Sequence, residues 1–153
     1  MLKLDKIDTR LLMLLQADCK RTTAAYAQQL NLSTTAIYER IKRLEKTAVI
    51  RDYVALVDRQ KVQKAFTVLC HIKLIQHIKD YVLQFERDVL KLAEVVECYH
   101  ISGDYDYILK IHVQDMDAYR EFMVTKLTSI KNIGSTQSSF VINEVKHTTV
   151  IGI

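Results

Sequence analysis

The 153-residue sequence predicts an α+β fold in two parts, and three observations carry that expectation. Apolar residues recur at helical spacing through the first third of the chain. From Ala65 onward the pattern switches to strand-like alternation interspersed with helical spacing. The excess positive charge lies wholly in the first part: residues 1–60 hold 11 Lys+Arg against 7 Asp+Glu, and residues 61–153 hold 11 of each. A basic module joined to a neutral one suits contact with a polyanion.

The first helix is expected to start at Asp5, a side-chain cap, with Asp8 in the first turn where a carboxylate suits the helix dipole. Ile7, Leu11, Leu14 and Leu15 form its apolar stripe, and it ends near Asp18. Thr22 or Thr23 opens a second, short helix with Tyr26 and Leu30 inward. Asn31-Leu32 makes a tight turn, Asn being tolerant of left-handed backbone. Ser33 then caps a third helix running to Lys46. On that helix Ile37, Ile41, Leu44 and Ala48 share one face at i, i+4, i+7, i+11. The opposite face carries Thr34, Thr35, Tyr38, Glu39 and Lys42, flanked by Arg40, Arg43 and Lys46. Helix, tight turn, helix is the helix-turn-helix unit. Short polar groups first and cations later is the order a helix needs in a DNA major groove, where early residues meet base edges and later turns lie near phosphates. The competing reading is a solvated amphipathic helix. The preceding short helix and turn favour DNA recognition. Arg40, Arg43 and Lys46 are expected to supply phosphate contacts or internal ion pairs, and Arg40 could equally pair with Glu39 or Asp8 as a structural bridge.

Three helices in so short a span bury little surface, so the unit is expected to lean on something else. Val49 to Val57 is β-rich and is expected to form a strand at the edge of the helical module, a wing, with Asp58 to Lys64 as connector. The domains are thus expected at 1–50 (helix-turn-helix), 51–64 (strand and linker) and 65–153.

In the second domain Phe66, Val68, Cys70, Ile72 and Leu74 alternate as a strand. Ile78, Val82, Phe85 and Val89 space out as a helix. Glu94 to Ser102 and Asp106 to Val113 read as two strands joined by a turn at Gly103-Asp104. A helix capped by Asp115 follows, with Tyr119, Phe122, Met123, Leu127 and Ile130 inward, and Thr136 to Val150 reads as the last strand. The order β-α-β-β-α-β is the ferredoxin-like arrangement, an antiparallel sheet with helices on one face. Apolar residues occur on both sides of several strands (Val68 and Leu69; Ile108 and Leu109). A second copy of the chain is therefore expected to cover the bare face, giving a homodimer.

Several classes are excluded or disfavoured. No apolar run approaches the ~18 residues of a membrane span, and the N-terminal residues lack the apolar core of a signal peptide, so a cytoplasmic protein without membrane partners is expected. Cys19, Cys70 and Cys98 are odd in number and widely spaced, which suggests reduced thiols. Cys70-His71, Cys98-x-His100 and His112 lie on strands expected to be adjacent, but the compact spacings of metal sites are absent, and no metal is expected. No nucleophile elbow, phosphate loop or Ser/His/Asp set is present, so neither enzymatic chemistry nor a cofactor is expected.

The residues Leu4-Asp5-x-Ile7-Asp8, Leu32-Ser33-x-Thr35, Arg40-Ile41-Lys42-Arg43-Leu44-Glu45 with Val49-Ile50, Ser102-Gly103-Asp104-Tyr105-Asp106-Tyr107, Asp115-Met116-x-Ala118-Tyr119 and Val145-Lys146, in that order and spacing, resemble the Lrp/AsnC (feast/famine, leucine-responsive) family of transcriptional regulators. The resemblance runs from about Leu4 to Val150. It implies a winged helix-turn-helix domain followed by a ferredoxin-like, RAM-type effector and dimerisation domain. It also implies double-stranded DNA as partner and dimers that assemble to tetramers, octamers or larger discs. An amino-acid effector is implied at the dimer interface near Gly103, Asp104, Tyr105, Asp106, Tyr107, Thr136 and Ser138. In terms of chemistry, Gly103 lets a ligand approach the backbone, and Asp104 and Asp106 can accept from an α-ammonium. Ordinary hairpin-turn chemistry explains the same residues equally well. The sequence departs from the family pattern at Cys19, Asn31 and Ala48, where glycines are usual, and at Lys131-Asn132 in place of Pro-Gly. The expected function is sequence-specific regulation of transcription, modulated by an amino acid or related small metabolite. The alternative is an oligomeric small-molecule-binding or architectural protein without sequence-specific recognition.

Overall fold

The computed structural model describes residues 3–153, which form two compact units. The first holds the residues up to Leu56 together with Val145–Ile153, and the second holds Val57–Glu144.

In the first unit three helices, α1 (Lys6–Ala17), α2 (Thr23–Leu30) and α3 (Thr34–Lys46), each start on a side-chain cap. Asp5 Oδ1 accepts from the N–H groups of Ile7 (2.8 Å) and Asp8 (2.7 Å), and Asp8 Oδ2 accepts from the Asp5 N–H at 3.1 Å. This is a reciprocal capping box built from two aspartates. Thr22 and Ser33 hydroxyls accept from the amides of Ala25 (3.2 Å) and Ala36 (3.1 Å). These bonds satisfy amides that otherwise have no helical partner. Asn31 turns the corner between α2 and α3 at φ 53°. Leu11, Leu12, Leu15, Tyr26, Ala27, Leu30, Ile37 and Leu44 form the buried core, with Ile7, Leu14 and Ile41 half-buried around it.

Three sequence expectations change in this unit. Ala48 does not continue the apolar face of α3: the helix ends at Lys46, and Ala48 is exposed at φ 55°. Its N–H donates to the Glu45 carbonyl at 2.9 Å, while the amides of Val49 (3.0 Å) and Ile50 (3.1 Å) reach the Leu44 carbonyl, closing the helix C-terminus. Val49 to Val57 forms no strand, because a strand needs a hydrogen-bonded neighbour and this stretch has none among the described residues. The last strand stops at Phe140 instead of Val150, and Val145–Ile153 groups with the helices. There the Gln16 side-chain amide pairs with the Ile151 backbone in both directions, at 3.0 and 2.7 Å.

The second unit carries β1 (Phe66–Leu74), α4 (Lys79–Val89), β2 (Val95–His100), β3 (Tyr107–Val113), α5 (Met116–Thr125), a single 3₁₀ turn at Leu127–Ser129, and β4 (Ile133–Phe140). The sheet is antiparallel in the order β2-β3-β1-β4, which is the ferredoxin-like topology. Val68, Cys70, Ile72 and Leu74 on β1 and Tyr107, Leu109, Ile111 and Val113 on β3 project to one face. There they pack with Phe85 and Val89 of α4, Tyr119 and Phe122 of α5, and Leu127. Asp115 caps α5 by accepting from the Ala118 amide at 2.8 Å, as expected.

The other face carries the alternate residues. Leu69 and His71 on β1 pair directly with Lys110 and Ile108 on β3, and with Ser139 and Gln137 on β4. Glu97 bridges to Lys110 at 3.1 Å, and Tyr99 donates to Glu97 at 2.7 Å. Among the described residues no helix lies on this face. At its margin the Arg59 guanidinium donates to Thr67 Oγ1 at 3.0 Å and ion-pairs with Glu144. His112 lies 3.1 Å from Thr67 Oγ1. Burial first, then Arg59 and Lys110, hold the His112 pKa below its ordinary value.

Left-handed backbone at Ala48 costs an L-residue about 1 kcal/mol that glycine avoids. Ala48→Gly is expected to raise unfolding free energy by about that amount. Chemical denaturation monitored by circular dichroism checks this, and an unchanged or lowered midpoint contradicts it.

Candidate nucleic-acid interface

Two successive apolar anchors set the orientation of α3. Ile37 and Leu44 are fully buried and seven residues apart, two helical turns, so the same side of the helix meets the core at both points. The residues opposite must then face outward. Thr34, Thr35, Tyr38, Glu39 and Lys42 are all exposed and form one stripe along the helix. The two threonines, on the first turn, offer short hydroxyls. Tyr38, half-exposed, and Lys42 follow one and two turns later, with the Lys42 ammonium 5.8 Å from the Tyr38 ring centroid. Lys42 also donates to Glu45 Oε2 at 2.9 Å, and that bond holds the lysine pKa above its ordinary value.

The arginines behave differently. Arg40 Nη1 donates to Asp5 Oδ2 at 2.7 Å and to Asp8 Oδ1 at 2.6 Å. Arg43 Nη2 donates to the same Asp8 oxygen at 2.6 Å. Of the two expected roles of Arg40, ion pair or phosphate contact, the structure shows the pair, and Arg43 shares it. The Asp8 side chain is 1% exposed, against 24% for Arg40 and 44% for Arg43. A buried carboxylate needs such partners, since desolvating an unpaired charge is costly. Lys46 is exposed at the last turn. The stripe thus offers hydroxyls, a phenol, a carboxylate and an ammonium, which match the donor and acceptor edges of base pairs and phosphate oxygens.

The residues expected at an effector site are not brought to one place within a single chain. Gly103 and Asp104 are exposed on the β2–β3 turn, Gly103 at φ 131°. Tyr105 turns to the open sheet face, where its hydroxyl bonds Gln137 and its ring lies 5.2 Å from that of His71. Tyr107 goes the opposite way, buried beneath α4 with its hydroxyl donating to Glu86 at 2.9 Å. Thr136 and Ser138 pair with Ile72 and Cys70 and so share the helix-covered face. The Ser138 hydroxyl is 2.5 Å from that of Tyr119, whose pKa burial pushes up to about 12. Gln137, between those two residues, is a β4 side chain on Tyr105's face, and strand alternation alone could have found it. A shallow cleft of about 180 Å³ lined by Lys64, Glu94, Phe122 and Lys126, among others, includes none of the expected effector residues.

Asp106 is engaged structurally. Its Oδ2 accepts the Leu74 amide at 2.7 Å and its Oδ1 lies 2.7 Å from His77 Nε2, while the Asp106 amide donates to the Ile72 carbonyl at 2.9 Å. The sequence held no signal for His77. The Cys and His residues considered for metal split between the faces: Cys70 and Cys98 align with Leu109 on the helix side, and His71 and His112 lie on the open side. Among the described residues no three His, Cys, Asp or Glu side chains converge.

Burial raises the Asp106 pKa, but the Leu74 N–H and His77 outweigh it and hold the carboxyl below its ordinary value. Its contribution to stability is therefore present above the unfolded value near pH ~4 and is lost as pH falls through the lower folded value. Asp106→Ala is expected to cost about 1–3 kcal/mol near neutrality by orphaning the Leu74 amide. Urea denaturation at several pH values checks this. The deficit should shrink in acid, and a constant difference down to pH ~2 contradicts the ionised-carboxylate account.

Comparison with known proteins fits this architecture. The AsnC-type helix-turn-helix domain matches residues 4–45, and the Lrp/AsnC ligand binding domain matches residues 67–151. The DNA-binding transcriptional activator DecR of Escherichia coli K12 is 36% identical over 150 residues, covering 98% of this chain and 99% of its own. The leucine-responsive regulatory protein of the same organism is 36% identical over 143 residues, covering 94% and 87%. A transcriptional regulator of Neisseria meningitidis solved in complex with L-Met superposes with a TM-score of 0.93 at 32% identity, covering 97% of this chain and 96% of that one. An AsnC family regulator of Agrobacterium tumefaciens also superposes at 0.93, with 36% identity and the same coverage. The ligand-binding match alone spans more than half of the sequence, the helix-turn-helix match covers the three helices up to Glu45, and the chain belongs to the Lrp/AsnC family of transcriptional regulators.

Proposed function

We propose that this protein is a sequence-specific, double-stranded-DNA-binding transcriptional regulator. The observation that carries the reading is the exposed stripe Thr34, Thr35, Tyr38, Glu39 and Lys42 on a capped helix anchored at Ile37 and Leu44. The stripe enters the major groove, where the threonines, Tyr38 and Glu39 meet base edges and Lys42 and Lys46 lie toward phosphates. The protein acts by binding, without a catalytic step or a cofactor.

The active species is a homodimer built on the open sheet face and able to assemble further to tetramers or octamers. Half-buried Leu69 and Ile108 and the exposed ring of Tyr99 are apolar surface on that face that a second copy would bury. Two recognition helices would then read half-sites about 34–36 Å apart or a multiple of that. The effector is an amino acid or related metabolite held between C-terminal domains near Gly103, Asp104 and Tyr105. Dispersal of the expected effector residues over two faces in one chain supports a site completed by a partner. A regulator of Neisseria meningitidis solved with L-Met supports the ligand class. The effector acts by binding two assembly states with different affinity, which shifts the spacing of the recognition helices.

The competing reading, an oligomeric architectural protein, requires affinity that depends on salt but not on sequence. Lys42→Ala is expected to weaken binding to every duplex and flatten the slope of log affinity against log salt by about one unit. Fluorescence anisotropy across a salt series reads this, and an unchanged slope removes Lys42 from the phosphate contacts.

Thermal unfolding against the twenty amino acids tests the effector. A ligand at about 100 times its Kd adds about 2.7 kcal/mol, several degrees for a chain of this size. Asp104→Ala is the companion variant, because Asp104 is exposed and forms no hydrogen bond with another described residue. One amino acid stabilising the wild type and not the variant supports the site. A flat panel removes amino acids as effectors.

A further inference from the structure

Among the described residues of the helical unit Asp8 is the one buried charged side chain, and both of its arginine partners come from the recognition helix. Arg40 and Arg43 stand three residues apart, on the same flank of α3. One carboxylate oxygen of Asp8 receives both, and Asp5 receives Arg40 a second time. The two acids and two arginines sum to zero charge. The flank of α3 turned toward α1 is thus electrically balanced, although the sequence there reads as basic. On the rest of the helix Lys46 is exposed, and the exposed Lys42 pairs with half-buried Glu45 and lies 5.8 Å from the Tyr38 ring centroid.

Resting on the DNA-binding reading above, we infer that Asp8 is a positioning residue for DNA recognition: it ties Arg40 and Arg43 to α1 and withholds their charge from the phosphate backbone. The inference follows from what each kind of contact contributes. Phosphate contacts strengthen binding to every sequence alike, and each adds about 0.9 to the slope of log affinity against log salt. Base contacts alone discriminate between sequences. Two free arginines beside the base-reading stripe would strengthen binding to random DNA without adding discrimination. Held on Asp8, they serve instead to fix the rotation of α3 against α1. Both carboxylates sit in the capping box, so the structure that starts α1 also sets the charge of α3.

Asp8→Asn keeps the shape and removes the charge. Asp5→Asn is the second variant, because Asn is as good a helix cap and the half-exposed Asp5 holds Arg40 alone. The probes are random-sequence duplex DNA and the tightest duplex recovered from a randomised pool, each titrated by anisotropy from ~50 to ~200 mM salt. Asp8→Asn should steepen the salt slope by about one unit for each arginine released and tighten random-duplex binding several-fold at the low-salt end. The preference for the selected duplex should fall. Asp5→Asn should move the slope the same way by less, and Arg43→Gln added to Asp8→Asn should return it toward the wild type. A purely structural role lowers affinity through partial unfolding and leaves the slope unchanged or flatter. If Asp8→Asn does not fold, the Asp5→Asn slope decides alone. An unsteepened slope with normal wild-type binding overturns the inference and leaves the DNA reading standing. A wild type without salt-dependent DNA binding overturns both.

Discussion

The helical unit depends on one buried anion. Among the described residues its apolar core comprises eight buried side chains spread over three short helices, and a core that small defines helix packing only loosely. Asp8 adds direction to it. A carboxylate that is 1% exposed between two guanidinium groups has few alternative geometries, because each departure leaves a buried charge unpaired. The position of α1 against α3 therefore rests on electrostatics as well as on packing. The same carboxylate closes the N-terminal cap of α1 through the Asp5 amide. Cap, helix packing and the presentation of the recognition helix share one group.

The sheet unit is organised by a division between its faces. One face is closed by α4 and α5 over a core with fully buried β1 and β3 positions. The other alternates apolar, aromatic and charged groups, some of which pair locally, as in the Tyr99–Glu97–Lys110 chain. This division explains why the β2–β3 turn sends Tyr105 and Tyr107 to opposite sides. It also explains why Asp106 is drawn into hydrogen bonds that join β3 to the end of β1. A turn that reads as a ligand loop is, within one chain, first of all a structural junction.

The chain has no proline and three glycines, so most of its tight corners are made by other residues. Asn31, Ala48, Gln63 and Asn132 all adopt positive φ. Asn132 illustrates how the cost is met: its side-chain amide pairs with Gln76 in both directions, at 3.0 and 2.8 Å. Short polar side chains that bond locally tolerate this backbone. Ala48 has no such group, and its conformation is imposed by the carbonyls of Leu44 and Glu45 at the end of α3.

The sequence alone determined the helix starts, the outward stripe of α3, the β-α-β-β-α-β order and the charge asymmetry, because each arises from local spacing or a capping residue within a turn of its target. The caps at Asp5, Thr22, Ser33 and Asp115 were all legible in this way. Tertiary structure decided what depends on partners distant in sequence. It chose Asp8 over free solvent for Arg43, across 35 residues, and it brought His77 to Asp106 across 29. It withheld a strand from Val49 to Val57 and ended β4 at Phe140, because β-rich sequence becomes a strand only where a neighbour offers its amides and carbonyls. The groups of the candidate effector site lie on both faces of the sheet because Tyr105 precedes β3 and escapes the alternation that turns Tyr107, Thr136 and Ser138 toward the helices. Residue type told which chemistry was present, and only the fold decided where each side chain was spent.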